Sequence, residues 1–180
     1  MSYPKLNTIA AIDIMQGEVD GDFDSLEEML LNNYSNRLSD DPTLSRYEDC
    51  HCPSSSIVDN IFNQILNDFY DVTGKYAEID NYWGHIHEKN MSTRLHDHPN
   101  CFASGVVYIS VPKGSGSIVF SPTIDIKNRD RFLAPFPPKR GRYYVFPGYL
   151  YHYVTRHNSD EMRVSLSFNL NLKNNKNVSS

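Results

Sequence analysis

The chain has 180 residues and a formal net charge of −5, with 39% apolar and 22% charged residues. That excludes a disordered chain and leaves room for one domain with a real core, not for two ordinary ones. No stretch approaches the roughly 20 apolar residues of a membrane span, and the N-terminal stretch, its apolar patch broken by Asp13, is a poor secretory signal. Three cysteines, Cys50, Cys52 and Cys101, are too few for a disulfide scaffold, so a reducing, cytoplasmic setting is expected.

The first 75 residues read as helical. Asp24 or Ser25 is expected to cap a helix through Leu26, Met29, Leu30 and Leu38, with Glu27 and Glu28 in its first turn and Asp40-Asp41-Pro42 as its end. Cys50-His51-Cys52 lies in a loop. No second cysteine pair follows, so a four-ligand structural zinc site is not expected. The segment 56–74 places Ile57, Ile61, Ile65 and Phe69 on one stripe beside Val58, Phe62 and Leu66. A serine stands at its start and Gly74 at its end, which predicts a helix.

After Gly74 the period changes to two. Strands are expected over 76–87, 101–111, 116–120, 142–146, 149–155 and 161–170, with a long loop from Pro122 to Gly141 and a polar tail over 173–180. Helices followed by strands indicate an α+β chain with helices packed on a β-sandwich or barrel. A single domain over 1–180 is expected, with 1–75 as helical support and 76–172 as the β core.

Charge divides unevenly along the chain. Residues 13–49 hold 11 acidic and 2 basic side chains, whereas from His85 onward there are 13 basic and 6 acidic. Lys127, Arg129, Arg131, Lys139, Arg140 and Arg142 crowd one segment, which reads as a solvated loop or a local anion-facing one. The overall balance argues against a nucleic-acid binder.

Six of the seven histidines lie between 85 and 157. His96 and His98 stand two apart, so in an extended segment both rings project to one side and can chelate one metal ion. His152 shares the inward face of its strand with Leu150 and Val154, as a core histidine or a ligand would. His85 and His87 alternate with Trp83 and read as pocket-lining or surface residues. The strand from Arg163 to Leu170 puts Val164, Leu166, Phe168 and Leu170 on one face. Arg163, Ser165, Ser167 and Asn169 take the other, as the floor of a polar pocket would. An arginine beside a serine suits a carboxylate, because its planar fork makes two charge-assisted bonds.

Five pieces occur in order: Tyr82-Trp83, His96-x-His98-Pro99, Ser104-Gly105 before Tyr108, Gly141…Phe146-Pro147…His152-x-Val154, and Arg163-x-Ser-x-Ser-Phe-Asn169. Over residues 82–170 the sequence resembles the small iron(II)- and 2-oxoglutarate-dependent oxygenases, in particular a bacterial and phage branch. The resemblance implies a double-stranded β-helix (jelly-roll, cupin-like) core. It implies an oxidoreductase, a hydroxylase of unknown primary substrate, using Fe(II), O2 and 2-oxoglutarate as cosubstrate. It also implies a facial metal triad. The family's usual carboxylate is missing here, so the triad is either His96, His98 and His152, favoured by side-chain parity, or one in which Asp97 replaces His98. Arg163 would bind the distal carboxylate of 2-oxoglutarate, helped by Ser165 or Tyr108, and Asn169 would hydrogen-bond a ligand or backbone. The 122–141 loop would flank the barrel mouth. A three-histidine dioxygenase without an oxo acid and a non-catalytic binding module on the same fold are the alternatives. A homodimer is left open and no membrane partner is expected.

Overall fold

The computed structural model describes residues 12–34, 43–44, 50–121 and 134–173. Leu38, Asp40-Asp41-Pro42, residues 122–133 of the expected loop and the tail beyond 173 lie outside them. No helix among the described residues is long and apolar enough to cross a membrane.

Among the described residues, two helices and nine strands follow in chain order: β1 Met15–Glu18, α1 Phe23–Asn32, α2 Ser56–Thr73, β2 Ala77–His87, β3 Thr93–His96, β4 Ala103–Ser110, β5 Ile118–Phe120, β6 Ala134–Phe136, β7 Arg142–Pro147, β8 His152–Val154 and β9 Arg163–Leu172. Five strands form one antiparallel sheet in the order β1-β7-β4-β9-β2, and four form a second in the order β3-β8-β5-β6.

Helix α2 forms as its periodicity predicts. Ser55 caps its start, the hydroxyl accepting from the Val58 N–H at 3.3 Å, and Gly74 ends it in the left-handed region at φ 68°. Its buried face is Val58, Ile61, Phe62, Ile65 and Phe69. Helix α1 starts earlier than expected. Its N-cap is Asp22, not Asp24 or Ser25, and accepts from the Ser25 N–H at 3.1 Å and the Ser25 hydroxyl at 2.7 Å. With its two-oxygen side chain Asp22 satisfies more donors than a serine one turn later could.

Both helices cover the five-stranded sheet, where Leu26, Leu30, Ile61 and Ile65 meet Val164, Leu166, Phe168 and Leu170 of β9. A second apolar layer, including Val106, Tyr108, Ile118, Phe120, Tyr144 and Phe146, fills the space between the sheets. Cys50 and Cys52 belong to the helix-side core. Cys50 Sγ donates to the Leu30 carbonyl at 3.2 Å, and burial pushes the Cys52 thiol up to about 12, so neither is a ready thiolate ligand.

Four strand assignments differ from the sequence reading, the first being β3, which lies outside all the expected strands. β1 is an additional four-residue edge strand on β7, inside a segment read as helical. β6 lies within the expected 122–141 loop and pairs with β5. The expected strand 149–155 narrows to His152–Val154, because the Leu150 N–H closes a turn onto the Pro147 carbonyl at 2.9 Å. Of the basic segment, Lys127, Arg129 and Arg131 lie outside the described residues, and the described part meets carboxylates of the N-terminal segment. Lys139 pairs with Glu18 at 2.6 Å, Arg140 with Asp24 at 2.5 Å and Arg142 with Glu18 at 3.2 Å. The acidic N-terminal segment and the basic C-terminal one are thus stitched together, by exposed pairs worth about 0–1 kcal/mol each.

Candidate active site

The site lies between the sheets and begins with β3 and β8. His96 stands directly opposite His152 in their antiparallel pairing, with ring centroids 4.3 Å apart. β3 ends at His96, so simple alternation no longer governs His98. It is held instead by the turn after β7: the His98 N–H donates to the Gly148 carbonyl at 2.7 Å. A Cβ on Gly148 would stand 2.6 Å from the His98 carbonyl oxygen and 2.5 Å from that of Cys101, a contact only glycine permits. The Phe-Pro-Gly turn and the His-x-His-Pro segment are therefore two halves of one device.

The ligand-capable nitrogens of His96, His98 and His152 lie within 4.8 Å of one another, the one such grouping of His, Cys, Asp and Glu among the described residues. Asp97 stands outside it and lines an outer groove with Asn81 and His51. The ring tautomers follow from backbone contacts. His96 Nδ1 donates to the Arg94 carbonyl at 2.8 Å and His152 Nδ1 to the Leu150 carbonyl at 2.9 Å. Each bond leaves Nε2 without a proton and available as a donor atom to a metal. Desolvation, then the neighbouring His96, lowers His152 to about 3 and His98 to about 4, so both are neutral near pH 7.

A cavity of about 510 Å³ joins the three imidazoles to the polar face of β9, with Arg163, Ser165 and Ser167 in its wall. Arg163 is 1% exposed. Its guanidinium lies over the Tyr108 ring at 5.0 Å, and Nη1 donates to His87 Nδ1 at 2.9 Å. Among the described residues no carboxylate pairs with it, and its Nε and the Tyr108 hydroxyl, both buried, have no hydrogen-bond partner. Burial pushes that hydroxyl up to about 12, against the pull of Arg163. Ser165 stands between Tyr108 on β4 and His85 on β2, its hydroxyl donating to the His85 carbonyl at 3.2 Å.

Asn169 is placed elsewhere. Its amide donates to Asn81 at 2.9 Å and accepts from the Ser104 hydroxyl at 2.9 Å, and it lines the outer groove rather than the Arg163 cavity. Sequence reasoning undervalued His87 and missed Thr93. His87 is fully buried against Arg163, and Thr93 bonds its ring at 3.0 Å. The available signal was the alternation Trp83, His85, His87.

Both parts of the site fit the groups that the sequence motifs imply. Three converging imidazoles, two of them (His96 and His152) with Nδ1 tied to a backbone carbonyl, suit a divalent transition metal. A buried cation without a counterion, beside two orphaned polar atoms, suits a carboxylate.

Residues 81–169 match the sequence profile of a family described as "Putative 2OG-Fe(II) oxygenase". No curated protein sequence gives a significant match. Among solved structures, the chain resembles a 2OG-Fe(II) oxygenase-family oxidoreductase from Burkholderia pseudomallei (18% identity, TM-score 0.54), over 68% of this chain and 59% of that one. It thus spans about three fifths of that relative's length. The viral collagen prolyl hydroxylase of Paramecium Bursaria Chlorella virus-1, solved with 2OG, is 14% identical with a TM-score of 0.58, over 86% of this chain and 94% of that one. HygX from Streptomyces hygroscopicus, solved with nickel, 2-oxoglutarate and hygromycin B, is 13% identical with a TM-score of 0.61, over 88% and 82%. At these identities the likeness establishes the double-stranded β-helix fold expected from the sequence.

Proposed function

Residues 81–169 belong to the 2OG-Fe(II) oxygenase family, and on that premise we propose that the chain is an iron(II)- and 2-oxoglutarate-dependent oxygenase, acting as a hydroxylase. The observation that carries this reading is the single cavity that puts three converging imidazoles and an unpaired buried arginine within one wall. His96, His98 and His152 would hold the metal, and Arg163 the distal carboxylate of 2-oxoglutarate. When bound, that pair with O2 supplies oxidation of a substrate bond coupled to decarboxylation of the oxo acid to succinate.

The chain's own residues orient and exclude. Arg163 with the Tyr108 hydroxyl sets the direction of the oxo acid. Val106, Ile118 and Phe146 give its wall an apolar lining that limits water. The all-histidine set also suits a three-histidine dioxygenase that needs no oxo acid. Arg163 favours the oxo acid, because a buried cation facing a cavity is costly unless an anion arrives.

The primary substrate would approach through the outer groove, which shares Trp83, His96 and His98 with the inner cavity. Asn81, Asp97, His51 and Asn169 favour a polar neutral or cationic group there, not an anion. The free thiols fit a reducing, cytoplasmic setting.

The test is anaerobic titration of the protein with iron(II) and then 2-oxoglutarate, followed by O2 and assay for succinate. Saturable binding of both and succinate release support the reading. Metal binding with no affinity for 2-oxoglutarate shifts it to the three-histidine alternative, and no metal binding leaves a non-catalytic module.

A further inference from the structure

One polar chain near the site begins at a hydrogen bond whose direction is fixed by its donor. A guanidinium only donates, so the 2.9 Å contact from Arg163 Nη1 makes His87 Nδ1 an acceptor and puts the ring proton on Nε2. That proton is donated to Thr93 Oγ1 at 3.0 Å, and Thr93 Oγ1 lies 3.4 Å from His85 Nε2. Donation of the Thr93 hydroxyl proton to that nitrogen would place the His85 proton on Nδ1. Desolvation first, then Arg163, lowers the pKa of His87 well below its ordinary value, in keeping with a neutral ring.

The chain also bridges the two sheets. His87 stands opposite Arg163, and His85 opposite Ser165, in the β2–β9 pairing of the five-stranded sheet. Thr93 opens β3 in the four-stranded sheet, the strand that ends at His96. His85, Thr93 and Arg163 all line the cavity, whereas His87 lies behind it, fully buried.

We propose that His87 and Thr93 are positioning residues: they hold Arg163 so that its remaining donors face the cavity, and they fix the tautomer of His85 in the cosubstrate wall. In the oxygenase reading Arg163 is the carboxylate-binding residue, but its own orienting partner is a neutral imidazole rather than an acid. An acid there would cancel the charge the cosubstrate is meant to meet. A neutral acceptor orients the fork and leaves the charge unspent. The ligand in this proposal rests on the oxygenase reading; the hydrogen-bond assignments do not.

The experiment uses the full chain and the variants Thr93→Val, which keeps shape and removes the hydroxyl, and Thr93→Ser, which restores it. Ring-nitrogen NMR of the metal-free wild type should show the proton of His87 on Nε2 and that of His85 on Nδ1. Thr93→Val should release the His85 tautomer. With manganese(II) bound, calorimetry should show 2-oxoglutarate binding weakened about tenfold in Thr93→Val, the scale of one lost hydrogen bond, and recovered in Thr93→Ser. Manganese affinity should not move. A His87 proton on Nδ1 in wild type, or equal 2-oxoglutarate affinity in wild type and Thr93→Val, overturns the positioning role alone. A wild type that binds manganese but not 2-oxoglutarate overturns the oxygenase reading, and the cosubstrate role of Thr93 with it.

Discussion

Arg163 is a cation with 1% exposure whose neighbours are a neutral imidazole and an aromatic ring. Replacement by methionine, which matches its stem in flexibility and bulk, removes three contributions in the metal-free protein. The charge-assisted bond to His87 is worth about 1.5–3 kcal/mol, and the stacking on Tyr108 about 0.5–2 kcal/mol. Against them stands the desolvation cost of a lone buried ion, still several kcal/mol after relaxation. These offset one another to within about 2 kcal/mol. An arginine with a buried carboxylate partner would behave differently, because stranding that partner costs about 3–5 kcal/mol. Cosubstrate binding should respond in the opposite sense. Truncating one side of a buried charge pair costs about 2–5 kcal/mol, so 2-oxoglutarate affinity should fall by roughly 30-fold or more. Urea denaturation of the metal-free protein and calorimetric titration of the manganese(II)-loaded one measure the two terms separately. A stability loss above about 3 kcal/mol with unchanged 2-oxoglutarate affinity would refute the reasoning and make Arg163 a structural residue.

His152→Ala should abolish metal binding, measured by metal analysis after anaerobic loading, while His85→Ala keeps it; the reverse result would reassign the ligands. His98→Asp should tighten iron(II) binding by supplying a carboxylate, and no change in affinity would move attention to Asp97. Gly148→Ala should weaken metal binding with the fold intact by circular dichroism, because its Cβ would press on the carbonyls of His98 and Cys101 at 2.6 and 2.5 Å; wild-type affinity would show that the turn does not set His98. The metal-free protein should lose stability as pH falls from 7 to 5. His152, held down to about 3, and His87, held well below its ordinary value, stay neutral when folded, but protonate near 6.5 when unfolded. The unfolded state then binds more protons, and each such group removes up to roughly 1.4 kcal/mol per pH unit through that window. Equal urea midpoints at pH 7 and 5 would contradict the assigned neutral rings.

Local pattern alone determined α2, whose apolar stripe buries Val58, Ile61, Ile65 and Phe69 as its period requires. It also determined β9, whose alternation sends Leu166 and Phe168 to the helices and Arg163 and Ser165 to the cavity. These signals are legible because each residue's face follows from its neighbours in the chain. The remainder depended on pairing between distant segments. In β2, Ile79 stands opposite Leu170 on the core side, yet Asn81, Trp83, His85 and His87 stand opposite Asn169, Ser167, Ser165 and Arg163 on the cavity side. The irregularity between Ile79 and Asn81 reverses the faces. Alternation among Trp83, His85 and His87 shows that the three share a face, but counted on from Ile79 it would have turned that face to the helices, and no local rule says where the extra residue goes. β1 and β6 are too short to show a period and exist because β7 and β5 offer them edges. Glu18 and Asp24 meet Lys139 and Arg140 only after the chain has closed. The histidine spacing pointed to two imidazoles on one side of an extended segment, but the strand ends at His96, so the β3–β8 register brings His152 to His96 and the turn after β7 holds His98. The bridge from β2 to β3 through Thr93 belongs wholly to the tertiary fold, because its links join residues whose contact no periodicity encodes.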